Sequence, residues 1–155
     1  MSFRETYLRE HATTRKVLHA FPADQTQFKP HERSVTAHHL GWTFVIEEQL
    51  MEKVLRQQPA MGGGFPPDPA TWQEVLDAFD QQGEKVAKLL ESAEIKGSVT
   101  WFTGPKQTGE YSAAEYLWFM LHDQIHHRGQ MSVYLRMAGG KVPSIYGPSA
   151  DEPWF

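Results

Sequence analysis

The sequence contains no cysteine among its 155 residues. This absence excludes disulfide bonds, thiolate nucleophiles and cysteine-ligated zinc or iron–sulfur sites. Any metal held by the chain must have nitrogen and oxygen ligands, which favours Zn, Ni, Fe or Mn over the chemistry of soft ligands. The candidate metal ligands are therefore the eight histidines and nineteen acidic residues.

Long apolar runs and clusters of basic residues are missing as well. No stretch approaches the roughly 18 consecutive apolar residues of a membrane-spanning helix. The charged segment 1–5 is not followed by the apolar run of a signal peptide, so we expect a cytoplasmic protein without a membrane partner. The net charge of −4 and the lack of Lys/Arg-rich runs give no electrostatic reason to expect a nucleic-acid partner.

Four segments carry apolar residues at the spacing of amphipathic helices, and the length suits one domain over residues 1–155. The predicted helices run from Phe3 to about Ala20, from a cap at Ser34 to about Gln57, from a capping box at Thr71 through Leu90, and from a capping box at Ser112 to Ala138. Residues 58–69 and 93–111 form two long connections, and residues 99–103 favour a short extended piece. The predicted fold is all-α, an up-and-down four-helix bundle.

Two apolar features complete this prediction. The run of six apolar residues from 116 to 121 predicts a last helix that is buried nearly all round. Aromatic residues of the C-terminal tail, including Tyr146, Trp154 and Phe155, are expected to pack on the bundle or on a second subunit. In the first helix, His11 and His19 are expected on the surface.

Residues 121–130 form the most distinctive stretch, with three histidines and an aspartate inside the predicted last helix. A helix places residues four apart on one face, with Cβ atoms about 5–6 Å apart. Two pairs have this spacing, His122 with His126 and Asp123 with His127. Either pair could offer two ligands to one divalent metal. An exposed patch of polar side chains that binds no metal is the competing interpretation.

Glu47 stands in the apolar stripe of the predicted second helix, between Phe44 and Met51. A buried carboxylate costs several kcal/mol unless it is paired or bound to a cation. Glu47 is therefore a candidate metal ligand, and a position at the edge of the stripe or a basic partner is the alternative. His39, near the start of the same helix, is a second candidate.

The sequence resembles the DinB/YfiT-like family over essentially its whole length. The resemblance is most specific at residues 126–130 (HHRGQ), 133–136 (VYLR) and 145–152 (IYGPSADE). It implies a four-helix bundle that is often dimeric. It also implies a divalent metal held by a histidine of the second helix and by a pair of residues four apart on the last helix. Known activities in the wider family include thiol-dependent transfer and isomerisation, and most members have no assigned reaction.

Two departures appear when the family's ligand positions are carried onto this chain. The pair on the last helix falls on Asp123 and His127, although its first member is usually a histidine. A site rotated onto His122 and His126 is the alternative, with Asp123 and His127 as a hydrogen-bonded pair.

The second departure lies in the second helix, where the family's histidine aligns with Thr43, a poor ligand. Glu47 follows one turn later and is the preferred ligand, with His39, one turn earlier, in reserve.

Three protein ligands would leave an open coordination position on the metal, as catalytic sites do. We therefore expect a divalent-metal-dependent enzyme that acts on a small molecule, either a hydrolase or, as the family resemblance implies, a thiol-conjugate transferase with a low-molecular-weight thiol as second cofactor. The resemblance also implies a homodimer. The alternative is a non-catalytic, stress-related bundle that binds a ligand or dimerises.

Overall fold

The computed structural model describes residues 2–155 and confirms the predicted four-helix bundle. The helices are α1 (Phe3–His19), α2 (Ala37–Leu55), α3 (Trp72–Ser92) and α4 (Ala113–Met137), with a 3-10 turn at Ala23–Gln25. Helix α2 packs on α3 and α4, and α1 packs on the same two helices. Helices α1 and α2 are therefore diagonal to each other across the bundle.

Capping side chains explain where the helices begin. Thr71 and Ser112 each form a capping box with the glutamate three residues later, which confirms both predicted starts. The predicted cap of α2 was wrong by two residues. Thr36, and not Ser34, accepts a hydrogen bond from the backbone N–H of His39 at 3.1 Å and caps the helix.

A two-stranded antiparallel hairpin occupies much of the connection before α4. Strand β1 (Ser98–Gly104) contains the predicted extended piece, and it pairs with β2 (Gln107–Ser112). The second strand was not predicted, because its sequence QTGEYS has no alternation of apolar and polar residues and its side chains lie half-buried or exposed. Trp101 of β1 contacts Tyr116 edge-on with ring centroids 5.4 Å apart, so the hairpin covers the start of α4.

Two apolar clusters fill the bundle, one towards each end. Phe44, Phe79 and Leu135 belong to the first, and Met51 and Leu117 to the second. Between them, at positions intermediate along all four helices, lies a polar layer of buried side chains, namely Glu10, Thr14, Glu47, Glu48, Gln82, Gln124 and Arg128. A polar layer across the middle of a core must be hydrogen-bonded internally or must serve a ligand.

Two expectations about burial were wrong in part. Helix α4 is not buried nearly all round, because an apolar run longer than one turn points in every direction and Phe119 stays 38% exposed. Trp154 and Phe155 do not pack on the bundle and are 62% and 104% exposed, and packing of these residues on a second subunit stays a prediction. Within residues 2–155, no helix has the length and apolar character that crossing a membrane requires.

Candidate metal centre

Three potential ligands meet where α2 faces α4. Glu47, Asp123 and His127 each offer one ligand atom, and these atoms lie within 4.8 Å of one another. Glu47 comes from α2, and Asp123 and His127 lie one turn apart on α4. The group offers oxygen and nitrogen only, a ligand set suited to borderline and hard divalent cations. A Glu–Asp–His group of this kind could bind a metal.

The imidazole of His127 lies between the two carboxylates. Its Nδ1 is 2.7 Å from Glu47 Oε1, and its Nε2 is 4.0 Å from Asp123 Oδ1. Phe44 packs edge-on against the ring, with centroids 6.2 Å apart. The ring is thus held with one nitrogen towards each carboxylate, which limits its rotation.

Burial controls the protonation of Glu47. Loss of water around the side chain raises the pKa of Glu47 to about 7, although the hydrogen bond and charge of His127 act in the opposite direction. The same hydrogen bond raises the pKa of His127, while partial burial of the ring opposes the rise. Near neutral pH this pair therefore readily holds a proton, which a bound cation would have to displace.

The second oxygen of Glu47 has no such partner. Glu47 is 3% exposed, and its Oε2 is buried without a hydrogen bond to any residue among 2–155. Leaving a buried polar atom unsatisfied costs roughly 1–3 kcal/mol, and more when the group is charged. Native proteins rarely carry such a cost without a function. The side chain of Glu47 thus fits the role of a metal ligand, with one oxygen directed at His127 and one left free.

The alternative ligand pair, His122 and His126, lies on a different face of α4. His122 and His126 each precede a member of the cluster by one residue, so their side chains point about 100° away from it. Both are exposed. His126 Nε2 lies 2.7 Å from the side-chain nitrogen of Gln130, and His122 packs beside Trp118. The structure brings Asp123 and His127 to Glu47 and leaves this pair in solvent.

The reserve candidate of α2 lies away from the cluster too. His39 precedes Glu47 by eight residues, which places it about 12 Å away along the helix axis. Its Nδ1 is 2.8 Å from Asp68 Oδ2, and its side chain is 49% exposed. The hydroxyl of Thr43 donates to the His39 carbonyl within the helix.

Sequence reasoning missed a second buried carboxylate beside the first. Glu48 accepts a hydrogen bond from the Tyr7 hydroxyl at 2.6 Å on one oxygen. Its other oxygen lies 3.0 Å from His11 Nδ1 and 3.2 Å from Gln124 Nε2, so both oxygens are satisfied. His11 was expected on the surface, but it is half-buried against α3, where a Cβ at Gly83 would lie 2.0 Å from its ring. A glycine in the middle of a predicted helix was the sequence feature that could have indicated this close approach of His11 to α3.

A buried ion pair completes the polar layer. Arg128 is 1% exposed, and its Nη2 donates to Glu10 Oε2 at 2.8 Å. The Tyr146 hydroxyl donates to the same oxygen at 2.6 Å, and the guanidinium carbon lies 5.1 Å from the Tyr146 ring centroid. The C-terminal tail is thus fastened to α1 and α4 through one carboxylate.

The fold and the site together define a class of protein: a four-helix bundle with a candidate metal-binding group between two of its helices. The sequence profile of the DinB family matches residues 3–154. The chain belongs to the DinB family.

Two crystal structures of bacterial proteins share the fold. A DinB-like protein of Bacillus cereus ATCC 10987 superposes with a TM-score of 0.75 at 20% identity, covering 93% of this chain and 95% of that chain. The DinB-like protein YjoA of Bacillus subtilis gives a TM-score of 0.70 at 18% identity, with 94% and 98% covered. At such identities the likeness concerns the fold.

A sequence relative is similar over a short segment. The uncharacterized protein YrdA of Bacillus subtilis (strain 168) is 56% identical over 36 residues, which are 23% of this chain. The match spans 22% of YrdA itself, about a fifth of its length.

Proposed function

We propose that this protein is a divalent-metal-dependent enzyme whose metal is held by Glu47, Asp123 and His127. The observation that carries the proposal is the state of Glu47. Its carboxylate is buried, one oxygen contacts His127 at 2.7 Å, and the other has no hydrogen-bond partner in the described part of the chain. A cation supplies the positive charge that makes burial of such a carboxylate tolerable.

Zn, Ni, Fe and Mn are the ions that suit two carboxylates and one imidazole. Three protein ligands leave an open position, where a bound metal would acidify a water or a thiol, or polarise a carbonyl. We propose a small-molecule substrate, processed by hydrolysis or by transfer to a low-molecular-weight thiol. Support for the thiol comes from the family resemblance.

Access to the group is one-sided. The side chain of Glu47 is 4% exposed and that of His127 20%, whereas the side chain of Asp123 is 36% exposed. A substrate would therefore approach along Asp123, while Glu47 and Phe44 hold the inner side and exclude water from it. This arrangement keeps the electrostatic interactions strong on the inner side and leaves an entrance on the outer one.

We also propose a homodimer, as the family resemblance implies. The outer face of α4 offers apolar surface for it, because Val133 and Met137 are each 55% exposed. Light scattering coupled to size exclusion measures the mass directly. A monomer at micromolar concentration would contradict this part of the proposal.

Elemental analysis of protein purified without a histidine tag tests the metal site. We expect about one divalent ion per chain in the wild type and in His126→Ala, and a loss of the ion in His127→Ala. His126 is the matched control, because it is the adjacent histidine and lies in solvent. Equal metal content in the two variants would remove His127 from the ligand set.

Catalysis needs a separate measurement, because a metal-binding bundle without activity is the competing function. Hydrolysis of model esters and transfer to thiol acceptors are assayed before and after chelation, and then after the metal is restored. Activity that disappears and returns with the metal supports the enzyme. Turnover that persists after complete chelation contradicts metal catalysis.

A further inference from the structure

A cavity of about 660 Å³ lies between the end of α2 and the base of the hairpin. Its apolar floor consists of Val54 of α2, Val99 of β1 and Ala113 of α4, which are all buried. The Ala113 N–H donates to the Gly97 carbonyl at 3.0 Å, which joins the hairpin to the start of α4. Three elements therefore build the floor, and the volume suits a small molecule, because ligand pockets usually measure about 300–1,000 Å³.

The cavity is separate from the candidate metal centre. Val54 follows Glu47 by seven residues, and Ala113 precedes Asp123 by ten. At a rise of about 1.5 Å per residue, these spacings correspond to about 10 and 15 Å along the two helices. None of the three candidate metal ligands lines the cavity. A molecule bound here would be recognised by other side chains, and its binding should not require the metal.

The charged side chains of the wall are Lys96 and Glu110, which have opposite signs. Lys96 Nζ lies 2.7 Å from Glu94 Oε2, and Glu110 accepts a hydrogen bond from the Thr100 hydroxyl. Each charge thus already has a polar partner. A charged ligand would lose its hydration without gaining an unpaired opposite charge, whereas an uncharged ligand avoids that loss. The wall therefore favours an uncharged molecule.

The neutral hydrogen-bonding groups at the end of α2 are the carboxamides of Gln57 and Gln58. Both residues are exposed, and no other residue among 2–155 forms a hydrogen bond with either side chain. Gln57 has a φ of +58°, in the left-handed region that glycine usually occupies after a helix. A strained backbone position thus carries a side chain that makes no hydrogen bond within the fold. Its carboxamide offers one acceptor group and one donor group to a ligand.

We propose that this cavity binds an uncharged small molecule that has an apolar body and an amide or lactam group. The apolar body packs on Val54, Val99 and Ala113. The amide of the ligand pairs with the carboxamide of Gln57, donating one hydrogen bond and accepting another. This site goes beyond the proposed function, because it uses none of the metal ligands.

Equilibrium dialysis with 2-naphthamide and 2-naphthoate tests the proposal, since these two probes have nearly the same shape and differ in charge. A chelator is present throughout, so that the carboxylate probe cannot bind a metal. Gln57→Gly removes the carboxamide and suits the positive φ. Lys106→Gly is the matched control, because Lys106 also has a positive φ, of 61°, but lies in the turn between β1 and β2 and does not line the cavity.

We expect both variants to melt roughly 2–4 °C above the wild type, because glycine relieves the strain. The dissociation constant for 2-naphthamide should nevertheless rise about three- to tenfold in Gln57→Gly, the value of a neutral hydrogen bond, and stay unchanged in Lys106→Gly. Weaker binding by a more stable variant cannot result from unfolding. The wild type should bind 2-naphthamide at least about tenfold more tightly than 2-naphthoate.

Four results would overturn the proposal. The first is a wild type that does not bind 2-naphthamide, and the second is a wild type that binds both probes equally well. The third is an unchanged affinity for 2-naphthamide in Gln57→Gly. The fourth is an equal loss of affinity in Gln57→Gly and Lys106→Gly. Because the chelator removes the metal from every sample, none of these results depends on the metal centre.

Discussion

Glu47 and Glu48 are consecutive buried residues of α2 that reach opposite partners. Glu47 Oε1 contacts His127 of α4 at 2.7 Å, whereas Glu48 accepts a hydrogen bond from Tyr7 of α1 across the bundle. Successive side chains of a helix point about 100° apart, which is why neighbours in sequence face different helices. Both oxygens of Glu48 have partners, so Glu48 ties the bundle together and Glu47 is the residue with a free oxygen for a ligand.

Substitution of each glutamate should separate these roles. Glu47→Gln removes a charged ligand, and we expect metal affinity to fall by about 10–100-fold or more. Glu48→Gln should leave metal affinity within about threefold, although it disturbs the hydrogen bonds with Tyr7 and His11. Competition with a chelating indicator measures both constants. An equal loss in the two variants would show that Glu47 acts through the fold and is not a ligand.

Metal affinity should rise with pH. Burial raises the pKa of Glu47 to about 7, and the hydrogen bond with Glu47 raises that of His127, so protons compete with the metal below neutrality. We expect affinity to increase by roughly 10–100-fold between pH 6 and pH 8, with one to two protons released per metal. Calorimetry in buffers of different ionisation enthalpy counts those protons. An affinity independent of pH would contradict the assignment of both ligands.

The metal-free protein should show the opposite trend in stability. A group whose pKa is raised by folding stabilises the fold below its unfolded pKa, and the stabilisation is lost as pH rises through the folded value. For Glu47 that window runs from 4.5 to about 7, and His127 loses its contribution above 6.5 in the same direction. Urea unfolding in the presence of a chelator should therefore show a lower free energy of unfolding at pH 8 than at pH 5.

Glu47→Gln provides the control for this pH dependence, because the amide cannot ionise. The difference between wild type and variant isolates the coupled pair of Glu47 and His127 from the other titrating groups, because the raised pKa of His127 also depends on Glu47. We expect the wild type to lose on the order of 2–3 kcal/mol more than Glu47→Gln over that interval. Parallel pH profiles for the two proteins would mean that Glu47 ionises without penalty.

Local sequence signals correctly predicted the features that depend on contacts between residues close together in the chain. The capping boxes at Thr71 and Ser112 fix helix starts by contacts within four residues, and both were predicted correctly. The choice between Ser34 and Thr36 depends on where the preceding loop enters the helix, which local sequence does not specify. The burial of Glu47 followed from its place in an apolar stripe, which is also a local pattern.

The spacing of residues along the sequence could not predict the arrangement of side chains around Glu47. Pairs four residues apart occur twice in residues 122–127, and only the rotation of α4 against α2 decides which pair faces Glu47. A tyrosine in an apolar run is predicted as a core residue. The sequence therefore did not indicate that the buried hydroxyl of Tyr116 has no hydrogen-bond partner among residues 2–155. Arg128 and Glu10 lie 118 positions apart, and no periodicity connects them.

The buried pair of Arg128 and Glu10 should be a large contributor to stability. Burial opposes ionisation of Glu10, but hydrogen bonds from Tyr146 and Arg128 hold the pKa of Glu10 below its usual value. Arg128→Met would leave the Oε2 side of that carboxylate without its buried cation, with the more exposed Arg9 still 3.1 Å from Oε1, at a cost of about 3 kcal/mol in the free energy of unfolding. Arg136→Met is the control, because Arg136 pairs with Asp151 while 47% exposed and should cost less than about 1 kcal/mol. Similar losses in urea unfolding would contradict the buried pair's importance.

Gly83 should be a helical glycine that alanine cannot replace without a loss of stability. Alanine in a helix interior normally stabilises by about 0.5–1 kcal/mol over glycine. At Gly83, however, the new Cβ would lie 2.0 Å from the His11 ring, so His11 must leave Glu48 and stability should fall by about 1–3 kcal/mol. Gly129→Ala on α4 is the matched control, because no atom beyond its chain neighbours and the nearby backbone of α4 lies within 4 Å of its Cβ among the described residues, so the usual gain should appear. In a His11→Ala background the clash is gone, so Gly83→Ala should become neutral or stabilising. A loss that persists there would place the obstruction elsewhere than His11.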